Sequence, residues 1–359
     1  MKVLYPRIQP TKNETGECFF SAFETLTKES DRMILTSGYI SEESILFLRR
    51  CLNDEFFPNF QLVVGMLGLE GFTRAQYREL RELNALLIKN NKGKVYVSMK
   101  YKYHGKSYTF LKNDIPIASI VGSTNISILG DRDKRQFEVD ILLDDPTSIT
   151  KVMEIQLDLI AFSEPVDDNL SVKLIESSSN NYLEQFSKDP EYLCQKVSAS
   201  ELSNIIQNSD PARSYKLELK TTPKSNLNVF NGKPRGGGTS GLGKYIKRPW
   251  FETEIIVSKK VTSLPFYPQK MSFYVCTDDG WFFKCGTQGD YSKNFRSEKS
   301  LCILGAWIKG RLIDADCVNF GEIIKDEALR KYGRRFVTLT WTNVTADDNS
   351  HIYFLDFKA

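Results

Sequence analysis

Near Pro211 the sequence changes texture, and that change decides how many cores the chain can build. Upstream, apolar strand-like blocks alternate with segments of helical period; downstream, short β-rich runs are broken by Gly, Asp and Asn. One sheet cannot satisfy both patterns. Two architectures in series are therefore expected, in keeping with 359 residues at roughly 150 per domain.

In the upstream part, residues 33–39 (MILTSGY) make an apolar strand run, Ser41 caps a helix reaching Asn53, and residues 60–67 (FQLVVGML) read as a buried strand. Residues 73–90 place Leu80, Leu83, Leu87 and Ile88 on one helical face, and 95–99 returns to strand. This βαβ alternation predicts an α/β sheet with parallel members. Two strands then follow without a helix between them, 101–111 and 115–122, joined by the turn-forming Lys112-Asn113-Asp114. Another strand is expected at 137–143, and an amphipathic helix over 148–162 closes the unit. Residues 165–211 read as a linker with short helices at 182–186 and 200–207. Beyond it, runs at 215–220, 252–257, 271–277, 281–285, 301–307, 336–341 and 352–357 predict an all-β barrel or sandwich, with one helix over 320–331.

Charge is distributed unevenly between the two parts. The net charge is only +3, from 48 basic and 45 acidic residues. Residues 212–311 hold 18 Lys and Arg against 7 Asp and Glu, a net of +11, which leaves 30 against 38, or −8, for the rest. One region is suited to phosphate and the remainder is not. Seven cysteines without a Cys-x-x-Cys pair indicate thiols of a reducing cytoplasm, and two histidines exclude most multi-histidine metal sites. The first residues have no apolar leader core, and no run reaches the ~18 apolar residues that span a bilayer, so no membrane partner is expected.

The hairpin carries the chemistry. His104 and Lys106, two apart in a strand, leave on one face, and antiparallel register sets position 104 opposite about 122, beside Gly122-Ser123-Thr124-Asn125. An imidazole, an ammonium, a hydroxyl and a carboxamide together suit attack on a phosphodiester: the imidazole as nucleophile, Lys and Asn on the non-bridging oxygens. Glu138 on the next strand could orient the imidazole through its other nitrogen.

In the basic region, the loop 288–299 (QGDYSKNFRSEK) interleaves Asp290, Ser292, Asn294 and Arg296 with Tyr291 and Phe295, a mixture that reads base edges. Lys293 and Lys299 in the same loop, with Lys284 before it, are further DNA-binding candidates. A second loop, 231–248, offers Lys233, Arg235, Lys244, Lys247 and Arg248. Residues 238–244 also fit the first seven positions of a P-loop, but Tyr245 stands where Ser or Thr is needed and Pro249 stops any helix. Asp210, Glu218 and Lys220 mimic a metal-nuclease centre, a pattern common on solvated strand faces.

His104-Gly105-Lys106 followed by Gly122-Ser123-Thr124-Asn125 resembles the His-x-Lys…Gly-Ser-x-Asn signature of the phospholipase D superfamily. With Phe137-Glu138 after it, the order resembles the type II restriction endonucleases of the BfiI and NgoFVII type within that superfamily. The resemblance implies an α/β phospholipase-D-like nuclease domain, a mixed sheet flanked by helices, over 1–175. It further implies a linker over 176–210 and an all-β B3-like pseudobarrel over 211–359 that grips DNA with two arms. Arg248-Pro249-Trp250-Phe251-Glu252 looks like the strand start after the first arm. By position, His104 would be the nucleophile, Lys106, Ser123 and Asn125 the phosphate-binding groups and Glu138 the support of the histidine, with no metal and no cofactor.

Two departures stand out. The superfamily's Asp five residues after the Lys is Leu111 here, and the chain carries one motif copy where lipid-hydrolysing members carry two. The resulting expectation is a cytoplasmic, metal-independent, sequence-specific endonuclease of double-stranded DNA. It would be a homodimer through the N-terminal domain, because a second His104 would supply the acid and base that one motif lacks. A cognate DNA methyltransferase is the implied functional partner, and some relatives use a separate ATP-driven translocase. The alternatives are a lipid phosphodiesterase, disfavoured by Leu111, and a non-catalytic B3-like regulator, disfavoured by the intact His, Lys and Asn.

Overall fold

The apolar run at 33–39 lies in the middle of a sheet, and the rest of the upstream half is arranged around it. A computed structural model describes residues 1–6, 16–130, 137–175, 179–233 and 240–359 of the chain. They divide into two units, Met1–Glu176 with Gly236–Ile246, and Ser177–Arg235 with Lys247–Ala359.

The first unit runs β1 (Lys2–Leu4), α1 (Phe19–Glu29), β2 (Arg32–Ser37), α2 (Glu42–Asn53), β3 (Asn59–Val64), α3 (Leu67–Glu70), β4 (Phe72–Thr73), α4 (Arg74–Lys89) and β5 (Gly93–Val97). It continues with β6 (Ser107–Lys112), β7 (Ile115–Gly122), β8 (Asp140–Leu143), α5 (Pro146–Ala161), β9 (Glu164–Pro165) and β10 (Leu174–Ile175). The sheet order is β1-β8-β7-β6-β2-β3-β5-β9. Strands β2, β3 and β5 are parallel, while β6 joins β2 antiparallel and begins the β6-β7-β8 meander.

Alternation gives the sheet two unlike faces. Met33, Leu35, Leu62, Val64, Tyr108 and Phe110 pack into one core with α1, α2 and α4. The opposite face carries buried hydroxyls: Thr36 bonds Ser107 at 2.7 Å and Thr109 bonds Ser119 at 2.7 Å. Helix α5 covers that face through Gln156, whose Nε2 donates to the carbonyls of Ser107 (2.9 Å) and Ile34 (3.2 Å). Only Ile149 and Gln156 of α5 are buried, so the helix expected to be amphipathic instead exposes apolar side chains. In α4, Leu80, Leu83 and Leu87 are buried as expected, but Ile88, one 100° step past Leu87, is exposed.

The hairpin begins later than the sequence suggests. Pairing of Ser107 with Val121 starts β6 at Ser107, so His104 lies in an irregular segment before the strand and its register points past Gly122 toward Thr124. That segment crosses directly above the end of β3: a Cβ on Gly65 would stand 2.0 Å from the Tyr103 carbonyl oxygen. Tyr103 is tied down through its hydroxyl, 2.8 Å from Thr36 Oγ1.

The second unit contains α6 (Ser179–Ser187), β11 (Gln195–Lys196), α7 (Ala199–Gln207), β12 (Ser209–Glu218), β13 (Ile255–Ile256), α8 (Lys259–Thr262) and β14 (Ser272–Thr277). After these come β15 (Trp281–Gln288), β16 (Asn294–Ser297), α9 (Cys302–Asp314), α10 (Asp326–Tyr332), β17 (Phe336–Thr345) and β18 (His351–Asp356). A curled sheet of order β12-β17-β18-β14-β15-β16-β13 forms a half-barrel, antiparallel except for β14 and β18.

The run 301–307, expected as a strand, is the start of α9, buried on every side with nine of its thirteen residues enclosed. A fully buried apolar run has no period to distinguish helix from strand. Lys309 on α9 is itself buried, its ammonium donating to the carbonyls of Trp250 and Glu252 (3.0 Å). The helix expected over 320–331 starts only at Asp326. The expected linker belongs to the second unit: α6 packs on α9, Gln195 pairs with Phe282, and Ile205 of α7 joins a small core with Tyr274, Cys276 and Ile352. Among the described residues no helix is long and apolar enough to cross a membrane.

Replacing Gly65 with Ala should lower stability by about 1–3 kcal/mol, because the intruding methyl meets rigid backbone. The midpoint of denaturant unfolding, compared with wild type at unchanged slope, measures it.

Candidate active site and DNA interface

The carboxyl ends of β2 and β3 and the far end of the β6–β7 hairpin converge on one exposed spot. His104 lies there with an exposed side chain, its ring edge-to-face with Tyr39 at 5.7 Å between centroids. Lys106 is buried two residues on, with Nζ donating to the His104 carbonyl at 2.6 Å. Its backbone carbonyl accepts from Gly122 N–H at 3.2 Å, so the Gly-Ser-Thr-Asn turn is stitched to the His-Gly-Lys segment. Burial pushes the Lys106 ammonium below the ordinary lysine range, and the Glu138 carboxylate opposes that push. A cation held under partial desolvation attracts an arriving phosphate more strongly than a solvated one.

Asn125 is oriented by the end of β2. Its Oδ1 accepts from the Tyr39 N–H at 3.1 Å and lies 3.1 Å from Ser37 Oγ, and among the described residues both carboxamide N–H groups are left for a ligand. Ser37 Oγ also accepts from Ile126 N–H at 3.1 Å. Beneath the turn, Asp140 on β8 receives Thr124 N–H at 3.1 Å and Thr124 Oγ1 at 2.5 Å. Burial raises the Asp140 carboxyl above its ordinary range and those two bonds partly counter it. Tyr108, wholly buried, donates to the Thr124 carbonyl at 2.7 Å.

Ser123 donates to the Glu138 carboxylate and accepts from Val139 N–H at 2.9 Å. The expected support of His104 by Glu138 is therefore not the contact formed: the carboxylate is taken by Ser123. Among the described residues the His104 ring has no hydrogen-bond partner. Ser37, Tyr39, Thr124 and Asp140 escaped the sequence reading. The available signal was Thr36-Ser37-Gly38-Tyr39, polar residues ending an apolar parallel strand, where open α/β sheets place their sites.

The basic residues expected to meet DNA divide into free and engaged groups. Loop 288–299 is mostly a hairpin, with Gln288 opposite Asn294 and Gly286 opposite Arg296. Tyr291 is exposed at its tip and Lys299 is exposed past its end. Ser292 is fully buried, bonded to Gln269 Oε1 at 2.8 Å and to Lys270 N–H at 2.9 Å, so it braces the tip and cannot read a base. Lys293 pairs with Asp290 at 3.1 Å, and Lys284 lies 3.5 Å from Asp348. Arg296 is held between Glu254 (3.4 Å) and Gln288 (2.5 Å), while Asn294 Oδ1 is buried without a partner among the described residues.

In the other loop Lys233 and Lys247 are exposed, and Arg235 lies outside the described residues. Arg248 is engaged by Glu252. Lys244 is 3.7 Å from Asp54 within the first unit, because Leu242 and Tyr245 are buried there, Tyr245 against Phe47 and Phe56. Residues 241–245 form a short 3-10 turn, which is no phosphate cradle. Asp210 and Glu218 lie near opposite ends of β12, roughly 20 Å apart along the β17 register once the irregularity between Ser209 and Ser214 is allowed for, too far to share an ion.

Residues 17–163 match the family model of the NgoFVII restriction endonuclease N-terminal PLD domain. Residues 205–343 match that of the NgoFVII C-terminal B3-like DNA-binding domain. No curated protein matches the chain. Among solved structures, NucT from Helicobacter pylori is 11% identical, over 46% of this chain and 97% of that one, with a TM-score of 0.33. The phospholipase D family member Nuc from Salmonella typhimurium is 12% identical, over 46% and 95%, with a TM-score of 0.32. Matched in both halves by the paired domains of one enzyme type, in their order along the sequence, the chain belongs to the NgoFVII-type restriction endonucleases of the phospholipase D superfamily.

Proposed function

We propose that this protein cuts double-stranded DNA at specific sites by nucleophilic attack of His104 on the scissile phosphorus. The observation that carries this reading is the grouping of buried Lys106 and the oriented Asn125 carboxamide about an exposed imidazole that no hydrogen bond occupies among the described residues. An imidazole nitrogen forms the N–P bond as one ester P–O bond breaks, and the leaving oxygen takes a proton from a second imidazole. Water, deprotonated by that same imidazole, then attacks the phosphohistidine and frees His104. Lys106 and Asn125 stabilise the charge on the non-bridging oxygens, and Ser123, backed by Glu138, completes the cradle. No step is routed through a metal. His104→Ala should abolish cleavage of plasmid DNA while leaving DNA binding within a few-fold, and wild-type cleavage should persist in EDTA; cutting by the alanine variant would sink the proposal.

The second imidazole comes, in this reading, from a second copy of the chain. Support comes from apolar side chains left in solvent on α5 and beside the site: Ile155 is 61% exposed and Phe162 57%, with Tyr101, Phe137 and Val139 also exposed. Such a surface suits a two-fold interface that would bring two His104 residues to one phosphate. Light scattering on the full chain should give a dimer, and Ile155→Glu with Phe162→Glu should give monomers that do not cut. Active monomers would remove the shared site.

In the second unit, the exposed Lys233, Lys247 and Lys299 are the proposed phosphate contacts, and Tyr291, Asn294 and Arg296 the base-reading group. Arg296 is the best oriented of these, its guanidinium already held on two sides. A nuclease of this kind would also require a cognate DNA methyltransferase to shield the same sites in its own genome. Arg296→Ala should cost about 1–3 kcal/mol on DNA selected from a random library and little on scrambled DNA, whereas Lys247→Ala should weaken both alike. Equal losses on both DNAs for Arg296→Ala would show that it contacts backbone only.

A further inference from the structure

A nucleophilic imidazole must be aimed, and hydrogen bonds usually do the aiming. Here none is formed to the His104 ring among the described residues, and Glu138 is engaged by Ser123. What the ring does have is Tyr39. The two rings meet edge-to-face, 80° between planes and 5.7 Å between centroids, inside the range in which aromatic pairs attract. Contact continues at the preceding residue, where a Cβ on Gly38 would lie 3.2 Å from His104 Cδ2.

Tyr39 is fixed at three points. Its carbonyl accepts from Ser37 Oγ at 2.8 Å, its N–H donates to Asn125 Oδ1 at 3.1 Å, and its phenol donates to Glu70 Oε2 at 2.9 Å. The third bond is the informative one, because it reaches from the end of β2 to the end of α3 and joins a partly exposed tyrosine to a carboxylate. Packing alone would not need it. It restricts rotation of the phenol ring and so holds the wall against which the imidazole rests.

Resting on the reading of His104 as nucleophile, we propose that Tyr39, pinned by Glu70, is a positioning residue that sets the orientation of the attacking imidazole. The same residue orients Asn125 through its backbone, so one tyrosine registers the nucleophile against a phosphate-binding group.

The test uses the full-length protein with Tyr39→Ala, Tyr39→Phe and Glu70→Gln, each followed by cleavage kinetics and by NMR of the histidine ring protons. Two histidines make the assignment simple, with His351→Asn identifying the other. In Tyr39→Ala the ring-current shift of the His104 protons should vanish and kcat should fall about 100-fold, the scale of an ångström-sized misplacement, with KM little changed. Tyr39→Phe and Glu70→Gln keep the ring; they should retain the shift in part and lose under about 10-fold in kcat. Should the alanine variant not fold, Tyr39→Leu preserves bulk without a ring current and must give the alanine result. Unmoved His104 resonances in the ring-less variants would overturn the proposal whatever the rate does. A wild-type protein that cuts no DNA would defeat the nuclease reading, while the resonances would still decide the clamp.

Discussion

One buried hydroxyl, Ser37 Oγ, stands where the site is assembled. It meets Ile126 N–H, the Tyr39 carbonyl and Asn125 Oδ1, and so joins the end of β2 to the turn that follows β7. Strand β2 is the seam of the sheet, with parallel β3 and β5 on one side and the antiparallel β6–β8 meander on the other. Each half supplies part of the candidate site: the parallel half leaves Gly65 and Tyr39 at its carboxyl end, the meander brings Lys106, Ser123, Asn125 and Asp140. Loss of the Ser37 contacts would free the turn after β7 from the end of β2, while the β2–β6 ladder would still hold the two halves in register. Polar groups at such a junction cost stability when unsatisfied, which makes their mutual bonding a condition of the site's geometry.

The strand and helix order of the first unit was legible because its parallel strands are continuous apolar runs bounded by capping residues such as Ser41 and Thr73. The residue types of the candidate site could be picked out too, since His104, Lys106 and the Gly-Ser-Thr-Asn turn occur at a recognisable spacing. Their geometry could not. The two-residue offset of His104 arises within the hairpin, whose turn pairs Lys112 with Ile115 and whose register shifts between Phe110 and Leu111, an irregularity that no local period records. The partner of Glu138 likewise depended on which hydroxyl came closest after folding. In the second unit, α9 was unreadable for a different reason: enclosed on all sides, it carries no amphipathic stripe.

The basic excess of residues 212–311 overstates the charge offered to a ligand. Lys309 is spent inside the half-barrel on two carbonyls. Arg311 is engaged by Asp278 and Asp279, and Arg213 is stacked on Phe266 and Trp341 at 3.7 and 4.4 Å. Arg248 is likewise paired with a glutamate. Arginine suits such internal duties because its planar guanidinium bonds and stacks at once, whereas Lys233, Lys247 and Lys299 stay exposed. A count of cations along a sequence thus measures supply, and burial decides how much of it reaches the surface.

The placement of residues 240–246 bears on how the molecule can be taken apart. Leu242 and Tyr245 fill the first unit's core beside Phe47 and Phe56, yet they are encoded well inside the second half, and the chain on both sides of them belongs to the second unit. No single cut in the gene separates two self-sufficient pieces. An amino-terminal fragment ending near residue 175 would carry an apolar vacancy over α2, and the complementary fragment would carry the missing plug as an exposed hydrophobic loop. Exchange of the second half for another would therefore strip the first unit's core of Leu242 and Tyr245 unless the replacement brought a matching plug.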